Sequence, residues 1–128
     1  MALRPGLAAK VTHKVTEDDT ALEVGSGDVD VLATPILVLI CERAAVAATD
    51  GNLEPGTTTV GHRVQVDHLS PTPIGGIVTA EATLELVEGR RLTFRVAVND
   101  GRGLVAAGRV TRVVVDRERF LQRVANSD

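Results

Sequence analysis

The sequence predicts an α+β chain in which a curved antiparallel sheet wraps one long central helix. Three observations lead there. The stretch from Thr34 to Gly51 reads as a single helix, the stretch from Thr57 to Val115 alternates apolar and polar residues with period two, and tight glycine turns divide that alternation into antiparallel neighbours. One helix covered by a curved sheet is the economical packing for such elements. With 128 residues, about 13.5 kDa and 44% apolar content, residues 1–128 are expected to form a single domain. A chain of this size buries roughly two-thirds of its unfolded surface, enough to fold without disulfides or a structural metal.

Ala8–Thr16 alternates weakly around Val11 and Val15 and is expected to be a short strand. Glu17–Asp30 is acidic, contains Gly25 and Gly27, and reads as a loop. The helix begins at Thr34-Pro35: the hydroxyl can cap free N–H groups, and proline at the first helical position forfeits no hydrogen bond. Gly51 is expected to stop it in a left-handed conformation. Ile36–Cys41 is apolar on every side, which predicts a helix surrounded by other structure. Thr57–Leu69 follows as a strand with Val60, Val64 and Val66 sharing a face. Ser70–Gly76, with two prolines and two glycines, cannot continue a ladder. Ile77–Val87 places Val78, Ala80, Ala82, Leu84 and Leu86 on one face. Glu88-Gly89-Arg90 turns into Arg91–Asn99, and Asp100–Gly103 turns into Leu104–Val115. Asp116 is positioned to cap a short closing helix carrying Phe120, Leu121 and Val124. A single helix leaves a sheet edge uncovered, so two chains are expected to pair as a homodimer.

Composition narrows the function classes. A net charge of −3 and two aromatic residues, Phe94 and Phe120, leave no platform for stacking bases, so no nucleic-acid partner is expected. No run approaches the ~18 apolar residues that span a bilayer, and the first ten residues lack a signal-peptide core, which points to the cytoplasm and no membrane partner. The lone Cys41 and three scattered histidines form no metal-binding spacing. Charge is uneven: residues 1–87 hold 12 acids against 5 basic residues, and residues 88–128 hold 9 arginines against 5 acids. Arginines in that number suit a small polyanionic ligand, or else lie solvated on the outer face of strands.

Three residues could carry chemistry. Glu42 is a carboxylate inside an apolar helix, and must be paired, exposed on one face, or functional, because an unpartnered buried charge costs several kcal/mol. His68 ends a strand immediately before the Pro- and Gly-rich loop, where a rigid element presents an acid, a base or an orienting group. Thr34 is explained as a plain cap, yet at a helix N-terminus it also stands where free N–H groups stabilise negative charge on a carbonyl oxygen. Thr34 and Glu42 are about 12 Å apart along a continuous helix and cannot touch. No phosphate-binding glycine loop, Gly-x-Ser-x-Gly elbow or reactive-cysteine context is present.

Taken together, Ala33-Thr34 through Ala48 with Cys41-Glu42-Arg43-Ala44, Val60-Gly61 up to His68, Pro71-Thr72-Pro73 and Val87–Leu92 resemble the fluoroacetyl-CoA thioesterase branch of the hotdog-fold thioesterases. The resemblance covers roughly residues 30–125. It implies a hotdog fold, a homodimer with active sites at the subunit interface, and hydrolysis of a short or medium acyl-CoA to free acid and coenzyme A. It implies Thr34, Glu42 and His68 as the catalytic Thr, Glu and His, with Glu42 orienting His68 or activating water, and Gly61 and Arg112 as substrate-binding positions. It implies no cofactor, coenzyme A being part of the substrate. The family carries a phenylalanine-bearing lid before its helix, whereas Glu23–Asp30 here has no aromatic residue, which implies a less selective acyl site. The contrasting reading is a non-catalytic module that binds acyl thioesters without cleaving them.

Overall fold

In a computed structural model, residues 3–126 are described. Five strands, β1 (Ala8–Lys14), β2 (Thr57–His68), β3 (Ile77–Glu88), β4 (Arg91–Asp100) and β5 (Gly103–Asp116), form one antiparallel sheet in the order β1-β3-β4-β5-β2. The long helix α2 (Thr34–Ala48) lies on its concave face, packed chiefly against β1 and β3. Leu37, Ile40, Cys41, Ala44 and Ala45 of α2 meet Val78, Ala80, Ala82 and Leu84 of β3 and Phe94, Val96 and Val98 of β4 in a dry core. Each large side chain so buried stabilises by about 1.5–3 kcal/mol relative to exposure. Cys41, buried there, has its thiol pKa pushed up to about 11 by burial and by the Glu42 charge, and is inert.

Several sequence expectations need correction. The stretch Glu17–Asp30 is not an open loop: a 3-10 turn at Glu17–Asp19 runs into the short helix α1 (Ala21–Val24), capped by Thr20 and ended by Gly25 in the left-handed region at φ 88°. This segment is tied down by an Asp19 carboxylate that accepts from the Thr16 N–H at 2.8 Å and contacts His13 at 2.8 Å. Burial pushes that carboxyl up, but the bonds from Thr16 and His13 outweigh it, and its pKa falls below 3.8. Helix α2 is not wrapped on every side, since Leu39 and Val46 are 41% and 42% exposed on one bare stripe. It stops at Thr49, whose hydroxyl donates to the Val46 carbonyl at 2.8 Å, and Gly51 takes its left-handed turn only afterwards.

The strands lie where the alternation placed them, but three bulges reset their faces. An extra residue at His62 in β2 puts Val60 on the outer face and Val64, Val66 and His68 on the concave one. A second at Glu85 turns Leu86 outward, 46% exposed, and Val87 inward. A third at Val105 lets its carbonyl accept from both Leu69 and Ser70, fixing the chain just beyond His68. The closing helix α3 (Arg117–Ala125) forms as expected, with Asp116 accepting from the Arg119 N–H at 2.9 Å. No helix among the described residues is long and apolar enough to cross a membrane.

Candidate active site

Thr34 is the first residue of α2 and does not cap it; the N-cap is Ala33, with extended backbone and no side-chain cap bond. That one-residue shift frees the Thr34 hydroxyl, whose Oγ1 lies 2.8 Å from His68 Nδ1. The start of the helix is fixed from both sides: Ala33 N–H donates to the Asp19 carbonyl at 2.9 Å and Leu32 N–H to the Thr72 carbonyl at 2.9 Å. Because Pro35 has no N–H, Thr34 and Ile36 hold the unengaged amides of the first turn. Burial lowers the His68 pKa below 6.5, opposed by the Ser70 backbone, so the imidazole is neutral at pH 7. Its Nε2 is buried without a hydrogen-bond partner among the described residues. With the proton on Nε2, Nδ1 accepts from the Thr34 hydroxyl and can take its proton. The pair opens into a cavity of about 370 Å³ walled by Val29, Val31, Leu69 and Pro71.

Glu42 lies two turns further along α2, on the bare stripe, and does not touch His68. Its Oε2 accepts from an Arg112 guanidinium N–H at 2.9 Å, with 30% of the glutamate side chain exposed and 9% of the arginine's. Arg112 is held from behind by Thr59, donating through Nε to the hydroxyl and through its second terminal nitrogen to the carbonyl, each at 3.0 Å. Burial lowers the Arg112 pKa and the Glu42 charge raises it, the former prevailing; the guanidinium stays charged far above neutral pH. Gly61 pairs with Arg112 across the ladder, and a Cβ there would stand 2.7 Å from Glu42 Oε2. Only glycine lets the carboxylate come this close to the strand. Glu42, Arg43, Val46 and Arg112 line a second cavity, of about 380 Å³. Within one chain, then, the five residues form two groups, Thr34 with His68 and Glu42 with Gly61 and Arg112.

Residues 15–118 match the family described as fluoroacetyl-CoA-specific thioesterase (FlK). The chain belongs to that family of thioester hydrolases. It is 40% identical over 95 residues to the fluoroacetyl-CoA thioesterase of Streptantibioticus cattleyicolor, an alignment spanning 74% of this chain and 68% of the relative. A solved structure of the fluoroacetyl-CoA thioesterase FlK superposes with a TM-score of 0.91 at 31% identity, covering 100% of this chain and 99% of that one. A hot-dog-like protein from Thermanaerovibrio acidaminovorans superposes at 0.88 with 29% identity, over 96% and 91% of the two chains. The fold is therefore the hotdog fold.

Two positions that support these two groups were not singled out from sequence. Thr59 anchors Arg112 and shares the concave face with Gly61 two residues on, so the period-two pattern could have paired them. Asp19 holds the start of α2 through its backbone carbonyl, which leaves no mark on residue type. Along α1 and the turn after it, where the resemblance sets the lid, the large apolar side chains exposed are the aliphatic Leu22, Val24 and Val29.

Proposed function

We propose that the protein hydrolyses a short-chain acyl-CoA thioester to the free acid and coenzyme A, in a homodimer whose two sites lie between the subunits. The observation that carries this reading is the neutral His68 imidazole hydrogen-bonded to a Thr34 hydroxyl at the N-terminus of a helix with two unengaged amides. Such a cluster supplies a proton acceptor, a hydroxyl and an oxyanion site, the three elements of acyl transfer. His68 takes the proton from the Thr34 hydroxyl or from the attacking water and returns it to the departing thiolate. The amides at the start of α2 hold the charge that develops on the thioester oxygen.

The dimer follows from three features. Strand β2 has one unpaired side along its 12 residues, Leu39 and Val46 lie bare beside it, and Glu42 has no route to His68 inside the chain. Antiparallel pairing of two β2 strands about their midpoints brings His68, near one end, opposite the half of the partner strand that carries Gly61. Glu42 of the second copy, with its Arg112, then faces His68 and the thioester and can orient the imidazole or a water. Arg112 fixes the position of the carboxylate, and Gly61 lets substrate and carboxylate approach the strand.

The cavity beside His68 is bounded mainly by aliphatic side chains, with Ser26 and Ser70 also on its wall, a lining that suits an acyl group. The Streptantibioticus relative is named for fluoroacetyl-CoA, a two-carbon acyl thioester, and this supports the short end of the sequence expectation. Without aromatic residues in Glu23–Asp30, acetyl and fluoroacetyl thioesters are expected to be turned over comparably. The reading needs no cofactor, and a buried, unpaired cysteine thiol suits the reducing cytoplasm. Thiol release measured across a dozen acyl-CoAs tests it. Turnover of the two-carbon to four-carbon esters is expected; saturable binding with no release from any of them would select the non-catalytic module instead.

A further inference from the structure

Most of the arginine excess in the last third of the chain plays no part in the site above. On the face of the sheet turned away from α2, directly behind Gly61 and Arg112, the bulge in β2 borders a cleft of about 230 Å³. Its floor is made by Thr93 of β4 and Thr111 of β5, register partners of each other, with Thr111 also opposite Arg63. Neither hydroxyl makes a hydrogen bond to another group among the described residues. Arg63, Arg91 and Arg109 rim the cleft, and Glu88 is its one carboxylate. Arg109 is held by Glu85 through bonds of 2.9 and 3.3 Å, which fixes its position. Arg63 and Arg91 form no ion pair with any described residue, although Glu88 stands opposite Arg91 in the hairpin.

We propose that this cleft is a subsite for a phosphoryl group. With His62 and Gln65 completing the lining, the residues converging on it apart from Glu88 offer more donors than acceptors: two hydroxyls that can turn their protons inward, the Gln65 amide, and two guanidinium forks without an ion pair. A phosphate presents only acceptor oxygens, matches the forks two bonds at a time, and relieves the repulsion among the arginines. The single carboxylate of Glu88 reduces the net positive charge without cancelling it. Two sources can supply the group, a free phosphate or nucleotide, or the phosphate-bearing end of a CoA thioester. The second source rests on the proposed function, and the first does not.

Titration calorimetry with inorganic pyrophosphate, on the wild type and on the double variant Arg63→Ala/Arg91→Ala, tests the site. Kinetics with acetyl-CoA and with the acetyl thioester of N-acetylcysteamine, which has no phosphate, test the source. Saturable pyrophosphate binding is expected, weakened about tenfold or more in the double variant and by added salt. If the phosphates of CoA are the source, KM for acetyl-CoA rises by a similar factor while kcat, and the kinetics of the truncated thioester, stay at wild-type values. If a free anion is the source, pyrophosphate affinity falls and KM for acetyl-CoA does not move. Equal pyrophosphate affinity in the wild type and the double variant, or no binding to either, overturns the proposal. A wild type that binds pyrophosphate but cleaves neither thioester would instead overturn the proposed function and leave the subsite standing.

Discussion

The two halves of the site lie on one helix and are held in opposite ways. At the first turn of α2, Thr34 and His68 form a neutral hydrogen-bonded pair, set by backbone bonds on both flanks and complete within the chain. Two turns later, Glu42 and Arg112 form an ion pair on a bare helix stripe, backed by Thr59 and given room by the missing side chain of Gly61. The first half is tuned by burial, which keeps the imidazole neutral. The second is held by an ion pair, which fixes where the carboxylate points. In the proposed dimer a base and an acidic group held apart in this way within each copy meet across the two copies, which would couple assembly to chemistry.

The largest expected effect is at the neutral half. His68→Ala and Thr34→Ala should each lower kcat by at least ~10² with little change in thermal stability, because the pair borders an open cavity. A kcat within a few-fold of wild type in both would remove that half from the mechanism. Glu42→Gln should lower kcat by about 10² as well, but with a second signature. It leaves the buried Arg112 charge without its counter-ion, and stability should fall by about 1 kcal/mol, less than for a fully buried pair because the glutamate is 30% exposed. Thermal denaturation of this variant beside His68→Ala separates the two halves directly. Gly61→Ala forces the carboxylate away from its place by a few tenths of an ångström or more, and kcat should drop roughly tenfold with the dimer intact. Smallest is the pH effect. Since burial lowers the His68 pKa, the acid limb of kcat/KM should have its midpoint below 6.5, activity being retained above it and lost as pH falls through it. Buried as a neutral ring, His68 also makes folding less favourable as pH falls through 6.5, where the unfolded chain takes up a proton first.

The elements were legible because their signals are local. Alternation marks each strand, Thr34-Pro35 marks the helix start, and Asp116 marks the final cap. What escaped is set by contacts distant in sequence. The bulges at His62, Glu85 and Val105 are one-residue insertions relative to a neighbouring strand, so nothing in the strand itself shows where the faces exchange. That is why Val60 and Leu86 were expected on the wrong side. The bare stripe of Leu39 and Val46 was masked by a helix that is apolar all round, where periodicity cannot tell a core face from an interface. Thr34, Glu42 and His68 were singled out from residue type and position, and Gly61 and Arg112 through the family resemblance; their division into two groups was not read, because Arg112 lies 70 residues from the carboxylate it holds.

The coupling of the two halves across subunits can be measured by coexpressing His68→Ala with Glu42→Gln and purifying the mixture. In a shared-site dimer each mixed pair contains one site with both substitutions and one with neither, so random pairing should restore about a quarter of wild-type turnover. Activity that stays at the level of the separate variants, with mixed dimers demonstrably present, would contradict a site built from two chains.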